Sequence, residues 1–212
     1  MSETSKTSEA RSTPVLRVYF AFRSPYSRLG LHKVARAGLA ARLPTTLIPF
    51  TAPAGGAAFL DPTGSPPKLG YYAEDAPRMT ARMGLPFALP NPFEVDYAPA
   101  NRAFRAARAA GRALPFALAV SDARWGEGRD VSDEGVLADC AVAAGVPEGT
   151  DLAAEPGEAV RADRARLDED GVFGVPFAVL TRGGQRERFW GQDRFDLLVE
   201  AFGGTDAAGP ET

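Results

Sequence analysis

Leu16-Arg17-Val18-Tyr19-Phe20-Ala21-Phe22-Arg23-Ser24-Pro25-Tyr26-Ser27 is the stretch on which the fold turns. Residues 16–22 alternate and are rich in β-formers, the pattern of a strand. Ser24-Pro25 breaks that pattern and can open a helix, with Ser24 near the N-cap and Pro25 at the first helical position. Leu29, Leu31, Val34 and Ala35 then recur at helical spacing up to Gly38. Thr45 to Phe50, Thr-Thr-Leu-Ile-Pro-Phe, is a second β-like run. The opening therefore reads strand, helix, strand, a right-handed crossover unit.

Outward from it, residues 51–67 are rich in Pro, Gly and Ala and read as a loop. Residues 68–83 place Tyr72, Ala76, Met79 and Met83 on one helical face, a helix interrupted or begun at Pro77. Residues 87–97 are irregular and Pro-rich. Ala/Arg-rich helices follow over about 99–112, 114–124, 132–144 and 156–170, with Asp133 and Glu134 in the first turn of the third, where the helix dipole favours acids. The end returns to β signals. Phe177 to Thr181 is apolar, Gly183-Gly184 is a hairpin turn, and Arg188-Phe189-Trp190 pairs back. Asp193 to Phe202 forms a closing helix with Phe195, Leu198, Val199 and Phe202 on one face. This βαβ, helices, ββα order is an α/β chain, a thioredoxin fold with an inserted all-helical domain. The expected division is 14–55 and 171–203 for the thioredoxin-like part and 56–170 for the insertion. Residues 1–13 and 204–212 read as disordered tails.

A formal net charge of −3 gives no nucleic-acid footprint, which shows as a strongly basic domain. The N-terminus has no apolar h-region, and no run approaches the ~20 apolar residues of a membrane span. The single cysteine, Cys140, forbids an intramolecular disulfide and any Cys-x-x-Cys pair. That agrees with a reducing compartment, and a cytoplasmic location is expected. Cys140 sits in an apolar helical stretch and reads as an inert core residue. The single histidine, His32, excludes a His/Cys zinc cluster, and no metal is expected. Eight residues past Ser24 on one helix is about 12 Å along the axis, too far for a serine–histidine pair.

Three constellations carry chemistry. In the first, Ser24 and Ser27 fill the two positions that a Cys-x-x-Cys pair would take at the start of the first helix. A serine hydroxyl cannot exchange disulfides, but it can donate a hydrogen bond to the thiolate of a bound thiol. Alone, Ser24-Pro25 reads as a helix cap, and its place in this fold and its neighbours turn the reading toward chemistry. In the second, Gly171-Val172-Phe173-Gly174-Val175-Pro176, a proline just before a strand is compatible with a cis bond, and alone it reads as an ordinary turn entering a strand. In the third, Phe189-Trp190-Gly191-Gln192-Asp193-Arg194, Asp193 stands at a helix start as N-cap, with a carboxylate that can also meet an amino group.

In this order the three resemble the signatures of the 2-hydroxychromene-2-carboxylate isomerase and kappa-class glutathione transferase group, within the DsbA-like superfamily. Lys68, Tyr72, Asp75, Arg78 and Gly84-Leu85-Pro86 resemble that family's first inserted helix, and residues 125–131 a helix-to-loop stretch within the insertion. The resemblance runs from about Arg17 to Phe202. It implies glutathione, or an equivalent low-molecular-weight thiol, as a bound catalytic cofactor. Ser24 would hydrogen-bond its sulfur. Val175, before a cis Pro176, would pair with its cysteinyl backbone, and Gln192 and Asp193 would hold its γ-glutamyl end. Lys68 would meet a carboxylate, although a solvated lysine fits that position as well. The implied reaction is isomerisation of an unsaturated carbonyl or aromatic-derived small molecule. A transferase that consumes the thiol, or a non-catalytic binding scaffold, stands beside it. Phe87, Leu89, Phe93 and Tyr97 could wall a hydrophobic acceptor site. A homodimer is expected, with neither nucleic acid nor membrane as partner.

Overall fold

A computed structural model of the chain describes residues 13–58, 64–154 and 156–202. Apart from Thr13, the two expected tails lie outside the described residues. The first strand, β1 (Val15–Phe20), is central. It pairs in parallel with β2 (Thr45–Pro49) and antiparallel with β3 (Phe177–Arg182). β3 turns through Gly183-Gly184, both at positive φ, into β4 (Gln185–Trp190), giving the order β2-β1-β3-β4. Alternation along β1 and β3 feeds two apolar layers: Leu16, Val18, Phe20, Ala178 and Leu180 enter one, Tyr19, Phe177 and Val179 the other.

β1 stops at Phe20, short of the expected Phe22. The Ala21 carbonyl accepts from Ser24 N–H at 3.0 Å, and Ala21 N–H donates to Ser27 Oγ at 3.1 Å. The turn thereby takes backbone groups that a ladder would need.

The first layer lies between the sheet, α1 (Pro25–Arg36) and the closing helix α8 (Phe195–Glu200). A short α2 (Leu39–Arg42) leads from α1 into β2. Gly30 allows the closest approach: a Cβ there would meet Pro176 Cβ at 3.1 Å and the Phe195 ring at 3.2 Å. The inserted helices are α3 (Pro66–Arg82), α4 (Ala98–Ala109), α5 (Ala113–Trp125) and α6 (Glu134–Ala143). α3 runs unbroken through Pro77. Asp133 is the N-cap of α6, accepting from Val136 N–H at 3.0 Å. The insertion shares the first layer's core: Phe104, Phe116, Val120, Leu137 and Cys140 cluster with Leu16, Val18, Phe20 and Leu31. Phe20 and Phe104 meet edge to face at 5.0 Å.

α7 (Gly157–Asp170) covers the opposite face, with Leu167 against Tyr19, Ile48, Phe177 and Val179. It therefore packs on the sheet, although the span 56–170 expected for the insertion includes it. The sequence hides this because α7 looks like its Ala/Arg-rich neighbours and buries one leucine and two aspartates. One of these, Asp170, accepts from Tyr19 Oη at 2.6 Å and from Arg17 at 3.1 Å. The other, Asp163, is held by Arg105 of α4 at 2.9 Å and Arg108 at 2.8 Å. Among the described residues no helix is long and apolar enough to cross a membrane.

A third charged cluster locks α1 to α5. Buried Arg28 donates from Nε to Asp122 Oδ1 at 2.6 Å and from Nη1 to the Pro86 carbonyl at 2.7 Å, and His32 Nε2 lies 2.8 Å from the same carboxylate oxygen. Burial alone would raise the Asp122 carboxyl, but the contacts with His32 and Arg28 outweigh it and hold the group below the usual carboxylate range. A carboxyl depressed in the folded state contributes stability above its unfolded value, about 3.9, and loses it as pH falls through the lower folded value. Asp122→Asn should therefore lower urea stability at neutral pH, with the difference from wild type shrinking below about pH 4. A difference that stays constant across that range would show that the carboxylate charge plays no part.

Candidate active site

Ser24 is the N-cap of α1, in extended backbone with φ −101° and ψ 115°, and Pro25 follows at the first helical position. Its Oγ accepts from Ser27 N–H at 3.1 Å. An oxygen that accepts from the helix still has its own proton to give, so the Ser24 hydroxyl remains a donor. Ser27 is different: it is fully buried, and its Oγ is taken by Ala21 N–H. The two serines in the positions of a dithiol pair thus divide into one partly exposed donor and one structural clasp. The Tyr26 amide lies in the first turn, where a helix N–H has no intrahelical acceptor and the dipole favours negative charge.

Val175-Pro176 is cis. The Pro176 carbonyl accepts from Gly191 N–H at 2.9 Å, which ties this turn to the loop 191–193 between β4 and α8. Gly191 adopts φ 94°, and a Cβ there would stand 2.7 Å from Asp193 Oδ1, so this corner requires glycine. Gln192 is buried, its carbonyl accepting from Lys33 Nζ at 3.0 Å, while its side-chain Oε1 has no hydrogen-bond partner among the described residues. Asp193 is exposed and pairs with Arg194 at 2.5 Å. The expected N-cap role does not fall to Asp193. α8 begins at Phe195 after Arg194, whose N–H first closes a turn onto the Gly191 carbonyl at 3.1 Å.

The fold thus joins Val175, Pro176, Gln192 and Asp193 in one corner beside α1, the helix that Ser24 caps. Lys68 stands apart, exposed in the first turn of α3. One turn further on, the Tyr72 ring meets the Tyr26 ring at 5.7 Å, and Tyr26 Oη donates to Asp75 Oδ2 at 2.8 Å. Burial and the Asp75 carboxylate push the Tyr26 phenol well above its ordinary pKa, so it stays protonated and anchors α3 over the first turn of α1. This clamp was not singled out in the sequence. Its residues, Tyr26, Tyr72 and Asp75, each stand in a stretch that carries the resemblance, but nothing local shows that they meet.

The loop over 84–97 borders the same region. Arg23 donates to Glu94 at 2.9 Å, and the Trp125 indole donates to the Phe22 carbonyl at 2.9 Å. Of the four residues expected to wall an acceptor site, Phe87 stacks on Trp125 and Tyr97 holds Arg124 at 3.1 Å. Leu89 and Phe93 remain exposed. Cys140 is buried in the shared core, and desolvation raises its thiol to about 11, leaving it protonated at neutral pH.

Comparison with known proteins follows this geometry. Residues 15–203 match the DSBA-like thioredoxin domain family. Among curated proteins none matches the chain. Among solved structures, a 2-hydroxychromene-2-carboxylate isomerase is 25% identical at a TM-score of 0.65, covering 89% of this chain and 94% of its own. A probable DsbA oxidoreductase from Streptomyces coelicolor is 19% identical at a TM-score of 0.67, covering 93% and 94%. The cytosolic disulfide reductase DsbM from Pseudomonas aeruginosa is 22% identical at a TM-score of 0.64, covering 89% and 98%. The last two bear on the fold alone.

Proposed function

The chain belongs to the DSBA-like thioredoxin domain family, and from that membership we propose that it is a thiol-dependent isomerase of small unsaturated carbonyl compounds. The observation that carries the reading is Ser24: a hydroxyl with a free proton at the N-terminus of α1, where a dithiol member of the fold needs a cysteine. The likeness to an isomerase at 25% identity over 89% of the chain supports the reaction class.

The residues fit glutathione or an equivalent low-molecular-weight thiol. Gln192 Oε1 is a buried acceptor without a donor among the described residues, costly unless a ligand N–H or ammonium supplies one. Asp193 offers a carboxylate beside it, and Val175 offers its backbone N–H and C=O before the cis proline. When bound, such a thiol supplies a nucleophile that adds reversibly to an unsaturated carbonyl and leaves after bond rotation. Ser24 donates to the sulfur and, with the first turn of α1, favours its ionised form. Val175, Gln192 and Asp193 hold the cofactor along its length. Lys68 is available to a carboxylate of cofactor or substrate.

Calorimetry with reduced glutathione should give a saturable isotherm, and Asp193→Ala should weaken it about tenfold, the cost of one charge-assisted hydrogen bond. Heat with neither glutathione nor any other low-molecular-weight thiol would overturn the proposal. In turnover, a thiol recovered unchanged identifies isomerisation, and stoichiometric loss identifies conjugation.

A further inference from the structure

A cavity of about 280 Å³ lies between the C-terminal end of α7 and β4, lined by Glu169, Asp170, Gly171, Val179, Arg186 and Arg188. It lies on the face of the sheet covered by α7, and Ser24 is not in its wall.

The charges around it do not cancel. Asp170 is fully buried and taken by Tyr19 Oη at 2.6 Å, Arg17 at 3.1 Å and Arg186 at 3.3 Å. Glu169 is taken by Arg17 at 3.0 Å and Arg186 at 3.7 Å. Two carboxylates thus face two guanidinium groups. Arg188 is a third guanidinium, and among the described residues it has neither an ion pair nor a hydrogen bond. The negative end of the α7 dipole draws it in, and Gly171, at φ 64°, leaves room: a Cβ there would stand 3.7 Å from its Nη1.

Val179 is the apolar side chain in the cavity wall, and further apolar surface lies beside the cavity. Val179 lies opposite Arg188 in the β3–β4 pairing. Two-residue periodicity puts Trp190 on the same strand face as Arg188, about 7 Å along. Its ring meets Phe173 at 4.7 Å, and both rings are more than half exposed, at 55% and 54%. Gly174 seats the indole, since a Cβ there would stand 3.0 Å from its Nε1.

We propose that this groove binds a planar apolar monocarboxylate, with its carboxylate paired to Arg188 and its apolar body against Val179, Phe173 and Trp190. A single uncompensated guanidinium matches one negative charge, and its planar fork matches a carboxylate. Glu169 and Asp170 oppose a dianion such as phosphate. The volume suits a bicyclic acid. The site does not depend on the thiol chemistry proposed above.

The test is calorimetry with 2-naphthoate, its neutral counterpart 2-naphthamide, and inorganic phosphate. The naphthoate should bind at least tenfold more tightly than the amide, and phosphate should give no heat. Arg188→Ala should reduce naphthoate affinity tenfold or more, the scale of one charge-assisted pair. Trp190→Ala should reduce it as well. Ser24→Ala should leave naphthoate affinity unchanged, and Arg188→Ala should leave glutathione binding unchanged, so the two sites fail or stand separately. Equal binding of acid and amide, an unaffected Arg188→Ala, or loss of naphthoate binding in Ser24→Ala would each overturn the proposal.

Discussion

Asp163→Ala should cost about 3–5 kcal/mol of folding stability. Asp163 is almost wholly buried in α7, and its two oxygens are held by Arg105 and Arg108 of α4 at 2.9 and 2.8 Å. Removing the carboxylate leaves the Arg105 guanidinium, itself 6% exposed, charged in the core with no anion. That desolvation is what makes a half-broken buried pair costly. Domains of this kind are stable by only about 5–15 kcal/mol, so the variant should unfold at a much lower urea concentration. Because the cost comes from the orphaned cations, converting Asp163, Arg105 and Arg108 together to apolar residues of similar volume should recover much of it. A loss below about 1 kcal/mol in the single variant is the range of a solvated surface pair and would contradict the buried reading.

Ser24→Ala should raise the pKa of a bound thiol by about one to two units. A hydrogen bond to a charged group is worth about 1.5–3 kcal/mol, and one pKa unit corresponds to about 1.36 kcal/mol. Thiolate absorbance in the ultraviolet follows this directly in the complex, and turnover should fall by about 10- to 100-fold. Affinity for the cofactor should change little, since the longer contacts belong to Val175, Gln192 and Asp193. The alanine also removes the cap to Ser27 N–H, worth about 1 kcal/mol, which would loosen the first turn by itself. Ser24→Asp separates the two effects. It keeps an N-cap acceptor but has no proton to give, and its charge opposes a thiolate. It should restore stability while raising the thiol pKa at least as far. If both variants leave the pKa where wild type has it, the serine is a cap and nothing more.

The parts legible in the sequence are those written in local pattern. Alternation marked β1, Ser24-Pro25 marked the start of α1, and Gly183-Gly184 marked the hairpin. Pro176 stood out because a proline opening a strand must answer for its missing N–H. What stayed hidden depends on partners far apart in the chain. Arg28 and Asp122 meet across 94 residues, and Tyr26 and Asp75 across 49. Nothing local distinguishes Asp163, buried between two arginines, from the exposed Asp168 of the same helix. Which layer α7 joins is hidden for the same reason, since it is decided by what receives the helix's one buried leucine. Asp193 looked like a cap because acids favour helix starts, yet a turn from Gly191 to Arg194 intervenes and α8 begins only at Phe195.

β4 ends the sheet with Gln185-Arg186-Glu187-Arg188 along an edge that no other strand covers among the described residues. An open edge invites a second copy to extend the sheet, most simply about a two-fold axis normal to it. In that symmetry only residues of the same face can stand opposite each other. Registers centred on Arg186, Glu187 or Arg188 then set Glu187 against Glu187 with Arg186 against Arg188, or arginine against its own copy. Like charges directly opposed across a ladder repel. The edge therefore disfavours a two-fold copy of itself in each of these registers, through the order of its own charges.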